Sequence, residues 1–299
     1  MPLLLPPALQ RGDVIGLIGP SGPWQEETFR KGVQILSELG FQVTFAKNLL
    51  QQEGYLAGSD QHRHNMLTEV WRNPDVKAIM AVRGGYGSLR LLADLDYELI
   101  RSNPKILIGF SDVTALLSAV TKHTGLITFH GPMLSTLATS DRESVHHLFD
   151  TLCSQTDRPI KPAKIEILRP GLARGPLTGG NLTTLTHLVS TPYEMPWQNS
   201  IVFIEDIGEA PYRLDRMLTQ LNLAGRLKNI RGLILGSFDN CGNQEEIWNR
   251  VLTLFQEDIP IWANFPVGHG ARNMTLPIGA EATMDSSAGK LTFTGPFLS

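Results

Sequence analysis

The first half of this chain alternates short, almost continuously apolar runs with amphipathic stretches of helical periodicity. The apolar runs occupy residues 13–18, 41–45, 76–82, 105–109 and 126–129, and the helical stretches cover residues 26–39, 59–72, 87–102 and 112–123. Strands that are apolar on both faces are typical of a parallel sheet with helices packed against each side. The pattern therefore predicts an α/β fold with a doubly wound, flavodoxin-like parallel sheet.

The second half predicts a separate, smaller domain. A predicted helix over residues 143–153 is followed by a polar and then Pro/Gly-rich stretch up to residue 180, a composition typical of a connection. Beyond it, helices are predicted at residues 181–189, 211–223 and up to 255, with strands at 201–204, 232–235 and 291–294. We therefore predict an N-terminal domain over residues 1–160, a linker over 161–174, and a C-terminal α/β domain with mixed strands over 175–299.

Composition and charge exclude several classes of protein. The 299 residues are 42% hydrophobic and 18% charged with a formal net charge of −3, which excludes disorder and indicates neither a nucleic acid nor a membrane partner. The start lacks a positive region and is broken by Pro2, Pro6 and Pro7, so we expect a cytoplasmic protein. Cys153 and Cys241 are far apart and no H-E-x-x-H motif is present. We expect no metal and no cofactor.

Ser111 lies where an apolar strand passes directly into a predicted helix. Such a corner lifts a serine hydroxyl clear of the sheet and directs it toward a helix N-terminus, as in the nucleophile elbow of hydrolases. The segment departs from the G-x-S-x-G pattern, because Val113 stands where the second glycine would be. Serine is also a common N-cap residue, so the pattern leaves two roles open for Ser111, nucleophile or helix cap.

A glycine-rich turn, residues 83–88, follows another predicted strand. The consecutive Gly84 and Gly85 allow backbone N–H groups to approach an anionic ligand closely, although a simple tight turn explains them equally well. In an open parallel sheet, ligands bind outside the carboxyl ends of the strands. The turn and Ser111 are therefore expected at the same edge of the sheet.

A nucleophilic serine requires a base and an orienting acid, and the pattern offers two candidates for each. The base is His269, between two glycines after an apolar segment, or His130, at the end of a strand. The acid is Glu205, at the end of the strand 201–204, or Glu209 shortly after it. A structural role is also open for Glu205, because its negative charge would stabilise the N-terminus of the helix that begins at Pro211.

Taken together, these segments resemble the LD-carboxypeptidases, also called muramoyltetrapeptide carboxypeptidases, a family of serine peptidases. The resemblance extends over nearly the whole chain through motifs at residues 81–87, 109–115, 128–133, 179–182, 204–206, 216–218, 232–236, 268–269 and 276–279. Several motifs in one order are more specific than any single motif. The resemblance implies a catalytic triad of Ser111, His269 and Glu205, and thereby excludes His130 and Glu209 from these roles.

The resemblance also implies a reaction, which is removal of the terminal D-alanine from murein tetrapeptides during cytoplasmic peptidoglycan recycling, and it implies a homodimer. The scissile bond joins the L-centre of a diamino acid to D-alanine. One alternative is a related serine hydrolase that gives immunity to a peptidyl-nucleotide antibiotic. An alternative of another class is a non-catalytic ligand-binding module on the same sheet.

For the peptidase reaction we expect an oxyanion hole made by the backbone N–H groups of Asp112, Gly84 and Gly85. Arg83 is the candidate for binding the carboxylate of the terminal D-alanine, because arginine binds carboxylates bidentately. A purely structural ion pair is equally compatible with Arg83. Since the triad spans both predicted domains, the site is expected at their interface.

Overall fold

A computed structural model describes residues 2–154, 159–255 and 258–299. Its strands are β1 (Val14–Ile18), β2 (Gln42–Thr44), β3 (Val76–Ala81), β4 (Ile106–Gly109), β5 (Thr128–His130), β6 (Glu166–Arg169), β7 (Leu172–Asn181), β8 (Ile201–Ile207), β9 (Gly232–Asp239), β10 (Ile261–Ala263), β11 (Leu276–Ile278), β12 (Glu281–Asp285) and β13 (Lys290–Phe293). Its α-helices are α1 (Glu26–Glu38), α2 (Asp60–Arg72), α3 (Tyr97–Ser102), α4 (Thr114–Thr124), α5 (Leu134–Leu137), α6 (Arg142–Cys153), α7 (Leu182–Leu188), α8 (Pro211–Leu223) and α9 (Gln244–Leu254).

The first sheet confirms the predicted doubly wound fold. Its strands lie in the order β2, β1, β3, β4, β5 and β11, and the first five are parallel, which is the flavodoxin-like order. The strand β11 comes from the C-terminal part of the chain and pairs antiparallel with β5 at the edge of the sheet. The C-terminal part therefore completes the N-terminal sheet.

The second sheet confirms the predicted mixed α/β architecture. Its order is β13, β12, β7, β8, β9, β10 and β6. The four strands from β7 to β10 are parallel, whereas β12, β13 and β6 pair antiparallel with their neighbours.

Two details of the predicted elements were wrong. The stretch predicted as one helix over residues 87–102 consists of a 3-10 segment, Ser88–Asp94, and the short α3. The Pro/Gly-rich stretch, predicted as a connection, contains β6 and the long strand β7. Its glycines mark close packing within the sheet, because a Cβ atom on Gly179 would lie 1.9 Å from the carbonyl oxygen of Phe203. The domain limits themselves remain a prediction, and residues 155–158 lie outside the described part.

Alternation along β8 sends its side chains to two different cores. Ile201 and Phe203 belong to the core that includes the first sheet, whereas Val202 and Ile204 belong to the core under α7, α8 and α9. Successive side chains of a strand point to opposite faces, so Glu205 follows Phe203 toward the first sheet. The second sheet therefore presents this carboxylate to the region where the two sheets meet.

Within the described ranges, no helix is long and apolar enough to cross a membrane.

Candidate active site

Ser111 stands in a strained turn immediately after β4. Its backbone φ is +61°, which is unusual for a residue with a side chain and matches the sharp turn of a nucleophile elbow. Gly109 permits this turn, since a Cβ there would lie 2.4 Å from Cγ1 of Val113. The valine that departs from the hydrolase pattern thus packs against the first glycine of the motif. Ser111 caps neither the 3-10 segment Ser111–Val113 nor α4, so the cap role proposed from sequence is not observed.

The glycine turn lies directly beside Ser111. A Cβ on Gly84 would lie 2.9 Å from Cβ and 3.1 Å from Oγ of Ser111, so a larger residue would displace the hydroxyl. Gly85 has a φ of +115° and lines the same cavity as Ser111. The structure therefore brings this turn and Ser111 to one edge of the sheet.

The side chain of Asp112 fixes this turn, a role that the sequence did not reveal. Its buried Oδ2 accepts hydrogen bonds from Ser21 Oγ at 2.6 Å, Ser88 N at 2.9 Å and Ser88 Oγ at 2.8 Å. The buried guanidinium of Arg63 donates to the carbonyl oxygen of Gly87 at 2.9 Å. These contacts fix the C-terminal end of the turn, Gly87 and Ser88, and bind Ser88 directly to the residue that follows Ser111.

His269 is paired with Glu205. The two residues share a hydrogen bond of 2.6 Å between His269 Nδ1 and Glu205 Oε2, and Glu205 is fully buried. Burial raises the pKa of the Glu205 carboxyl, and His269 opposes that effect. Burial lowers the pKa of His269, but the hydrogen bond and charge of Glu205 act the other way, and the pKa ends above its ordinary value. A carboxylate at Nδ1 leaves Nε2 as the ring nitrogen available to exchange a proton.

The pair reaches the nucleophile turn through Phe110. The ring of Phe110, the residue before Ser111, lies 4.8 Å from the His269 ring between centroids. Since Phe110 follows a strand of the first sheet and Glu205 belongs to the second, Ser111, Glu205 and His269 gather where the two sheets meet.

Two anchors hold the loop of His269. Gly268 N donates to Asn273 Oδ1 at 3.0 Å, and Gly270 N donates to Ser237 Oγ at 2.9 Å. A Cβ on Gly268 would lie 2.6 Å from Glu205 Oε2, so the glycine allows the loop to pass close to the carboxylate. The glycines beside His269 thus bring the loop backbone against its anchors.

The competing residues have other environments. His130 is fully buried, neither of its ring nitrogens has a hydrogen-bond partner within the described ranges, and burial, aided by the charge of His269, lowers its pKa to about 3. A ring with so low a pKa has little tendency to accept a proton and therefore makes a poor base. Glu209 pairs at 3.6 Å with Arg213 on α8 instead of with a histidine.

Ser111 opens into a cavity of about 390 Å³ at the carboxyl ends of the strands. Residues that sequence reasoning missed also line it: Tyr86, Leu89, Asn181, Thr183, Thr184, His187, Asp206 and Ile207. Asp206 is occupied structurally, because its two carboxylate oxygens accept four hydrogen bonds, from Asn181 Nδ2, Ile207 N, Thr183 N and Thr183 Oγ1. Tyr86, Asn181 and Asp206 lie within motifs of the family resemblance that assigned them no role, and the other lining residues lie outside every motif and come together only in the folded chain.

Arg83 does not line this cavity. Its side chain is exposed, and Nη1 donates to the carbonyl oxygen of Pro23 at 2.5 Å. Among the described residues, no group of three or more His, Cys, Asp or Glu side chains is placed to hold a metal ion.

The doubly wound sheet presents a serine on a strained strand-to-helix turn, and the phenylalanine before that serine contacts a histidine paired with a carboxylate. These features define the class of serine hydrolases. Comparison with family models gives a closer assignment. Residues 15–131 match the LD-carboxypeptidase N-terminal domain and residues 174–284 match the LD-carboxypeptidase C-terminal domain. The chain therefore belongs to the LD-carboxypeptidase family of serine peptidases.

Individual relatives cover almost the whole chain. It is 39% identical over 294 residues to a probable murein peptide carboxypeptidase of Bacillus subtilis, with 94% of this chain and 92% of the relative covered. The crystal structure of muramoyltetrapeptide carboxypeptidase from Oxalobacter formigenes matches with a TM-score of 0.85 and 33% identity, covering 96% of this chain and 100% of that one. The microcin C7 self-immunity protein MccF of Escherichia coli is 32% identical over 338 aligned residues, which cover 100% of this chain and 97% of MccF.

Proposed function

We propose that this protein is a serine LD-carboxypeptidase that removes the terminal D-alanine from murein tetrapeptides, and that Ser111, His269 and Glu205 are its catalytic triad. The observation that carries the proposal is the 2.6 Å hydrogen bond between His269 and the buried Glu205, at a ring contact with the residue before Ser111. The names of the Bacillus and Oxalobacter relatives support the murein substrate.

In the proposed mechanism, Ser111 Oγ attacks the carbonyl carbon of the scissile bond while His269 accepts its proton. His269 then protonates the leaving amine of D-alanine, and the same residue activates water to release the acyl group. Glu205 holds the imidazole in the tautomer protonated at Nδ1 and stabilises the imidazolium. Serine catalysis requires such a carboxylate–imidazole pair, whereas ligand binding alone does not, so the pair favours an enzyme over a non-catalytic module.

The oxyanion hole of this mechanism consists of backbone N–H groups of Asp112, Gly84 and Gly85. Each such donor contributes ~2.7 to 4 kcal/mol to transition-state stabilisation in comparable enzymes. The hydrogen bonds of the Asp112 side chain to Ser21 and Ser88 support this assignment, because they hold the glycine turn at a constant position beside Ser111.

An exopeptidase also recognises a free carboxylate, for which Arg83 remains the proposed residue. In this role, the Arg83 side chain would have to exchange its hydrogen bond to Pro23 for one to the substrate. We further propose that the protein is a cytoplasmic homodimer that acts in peptidoglycan recycling, as the resemblance to its family implies. Light scattering of the purified protein tests the dimer.

Hydrolysis of a peptidyl-nucleotide antibiotic is the second candidate, favoured by the similarity to MccF. That alignment extends over 338 positions although this chain has 299 residues, so MccF carries insertions that this chain lacks. The match to the murein peptide carboxypeptidase covers 294 positions and needs few insertions. The shorter loops therefore favour the murein substrate.

Mass spectrometry tests the two candidates side by side. The protein and its Ser111→Ala variant are each incubated with a murein tetrapeptide, with a pentapeptide ending in D-Ala-D-Ala, and with a peptidyl-nucleotide. We expect the unaltered protein alone to remove one alanine from the tetrapeptide and to leave the pentapeptide intact. Cleavage of the peptidyl-nucleotide with an intact tetrapeptide would contradict the proposal in favour of the second candidate.

A further inference from the structure

A second cavity of about 520 Å³ adjoins the cavity of Ser111. The two cavities share three lining residues, Thr183, His187 and Glu209, so together they form one groove that begins at the nucleophile turn. The far part of the groove is lined by α8, which contributes Arg213 and Arg216.

Both arginines lie beside the aromatic ring of Tyr212. The Cζ atoms of Arg213 and Arg216 lie 5.9 Å and 5.4 Å from the centroid of the Tyr212 ring, and Arg213 Nε also donates to the Tyr212 hydroxyl at 3.2 Å. Both guanidinium groups therefore lie beside the same ring, and their two positive charges favour an anion bound near it.

The charges of the far cavity favour an anion. Its lining includes two guanidinium groups and one carboxylate, Glu209, whose contact with Arg213 is long at 3.6 Å. Both arginines remain exposed to solvent, so their donors are accessible to a ligand. Arginine also suits carboxylates, because its planar group donates two parallel hydrogen bonds.

We propose that Arg213 and Arg216 form a subsite for a carboxylate on the acyl side of the scissile bond. This inference rests on the proposed function. A carboxypeptidase that removes one alanine has a single small residue on the leaving side, and that residue lies next to Ser111. The far cavity shares Thr183, His187 and Glu209 with the cavity of Ser111 but is not lined by Ser111 itself, and we therefore assign it to the part of the peptide that remains.

A murein stem peptide offers two carboxylates of this kind. One is the free α-carboxylate of its γ-linked glutamate. The other lies at the end of the diamino acid side chain when that residue is diaminopimelate, and it is absent when the residue is lysine. Four synthetic tetrapeptides separate the two sources: diaminopimelate or lysine at the third position, each combined with glutamate or its amidated form at the second.

Binding is measured calorimetrically with Ser111→Ala protein, so that the peptide stays intact. Adding Arg216→Met is expected to raise the dissociation constant of the diaminopimelate–glutamate peptide about tenfold, as loss of a charge-assisted hydrogen bond predicts, and Arg213→Met has a smaller effect because Glu209 already shields that charge. Arg216→Lys should retain part of the affinity. The matched control is Arg30→Met, an exposed arginine on α1 paired with Glu26, which is expected to change nothing.

The four peptides decide between the sources. If the effect of Arg216→Met disappears with lysine, the subsite binds the diaminopimelate carboxylate, and if it disappears only with the amidated peptide, the subsite binds the glutamate carboxylate. No effect with the diaminopimelate–glutamate peptide, or an equal effect with the peptide that lacks both carboxylates, would overturn the subsite. Alanine release is measured in parallel with protein that retains Ser111, so that the proposed function and the subsite are tested separately. A peptide that binds but loses no alanine contradicts the proposed function and not the subsite.

Discussion

Replacing Glu205 by glutamine tests the proposed triad most directly. The substitution keeps the shape of the side chain but removes the charge that faces His269 Nδ1 at 2.6 Å. The site allows little adjustment, because the carboxyl is fully buried and the backbone of Gly268 lies against Oε2. The glutamine amide therefore occupies the position of the carboxylate, and either its oxygen or its NH2 group faces the imidazole.

Both orientations reduce turnover. With the oxygen toward His269, a charge-assisted hydrogen bond becomes a neutral one at the moment when the imidazolium forms, which costs about 1.5 to 3 kcal/mol. With the NH2 group toward His269, Nδ1 must accept, so the ring carries its proton on Nε2 and is the wrong tautomer for a base. A comparable Asp-to-Asn change in a serine protease lowers the rate ~10⁴-fold. We therefore expect Glu205→Gln to lose at least about a hundredfold in kcat, equivalent to ~2.7 kcal/mol.

The pH profile gives a second result from the same variant. Glu205 favours the protonated imidazolium and thus raises the pKa of His269. A general base works in its neutral form, so the rate of the unaltered enzyme rises with pH through this pKa. Removing the charge lowers the pKa of His269, and the acid limb of kcat/KM should move to lower pH.

The assay is release of D-alanine from a murein tetrapeptide, followed as kcat and KM over a range of pH, with Glu209→Gln as the matched control. Glu209 contacts Arg213 rather than His269, so its variant should retain nearly all of its kcat. A larger loss in kcat for Glu209→Gln than for Glu205→Gln would refute the assignment and move the orienting role to Glu209. An unchanged acid limb in Glu205→Gln would show that Glu205 does not influence the pKa of the catalytic base.

Further predictions concern the nucleophile turn and metal dependence. Ser111→Ala should abolish turnover with little change in melting temperature. A variant that kept a tenth of the rate would show that Ser111 is not the nucleophile. Gly84→Ala should lower kcat at least about tenfold because its Cβ would meet Ser111 at 2.9 Å, and an unchanged kcat would speak against that contact. Asp112→Ala leaves the Ser88 N–H without its acceptor and should lower the free energy of unfolding in urea by about 2 to 4 kcal/mol, with Asp112→Asn less affected. EDTA should leave turnover unchanged, whereas a loss restored by zinc would contradict the serine mechanism.

Local patterns were sufficient to predict much of the fold. The five parallel strands of the first sheet follow from runs of neighbouring apolar residues, which need burial on both faces wherever the chain goes. The corner at Ser111 was also predictable from local sequence, because it needs only a strand, a glycine and a helix start in succession. The resemblance of several motifs to one family then supported the choice of His269 and Glu205.

The structural role of the glycines in β7 was not predictable from local sequence. Glycine commonly interrupts regular structure, so the glycines of β7 predict a connection. In the folded chain Gly179 lies inside the sheet, where the carbonyl oxygen of Phe203 leaves no room for a side chain. A glycine required by a distant neighbour and a glycine required by a turn are identical in sequence.

Spacing also left the partners of the site undecided, and only the tertiary structure paired them. His269 and Glu205 are 64 residues apart, and Asp112 accepts a hydrogen bond from Ser21 across 91 residues. His130 and His269 are both histidines beside apolar segments, yet one is buried without hydrogen-bond partners for its ring within the described ranges and the other meets a carboxylate. Periodicity arises from neighbouring residues, so the sequence by itself determines which segments become strands and helices. The protonation and pairing of a side chain depend on the burial and charges around it, which exist only after the two sheets have packed together.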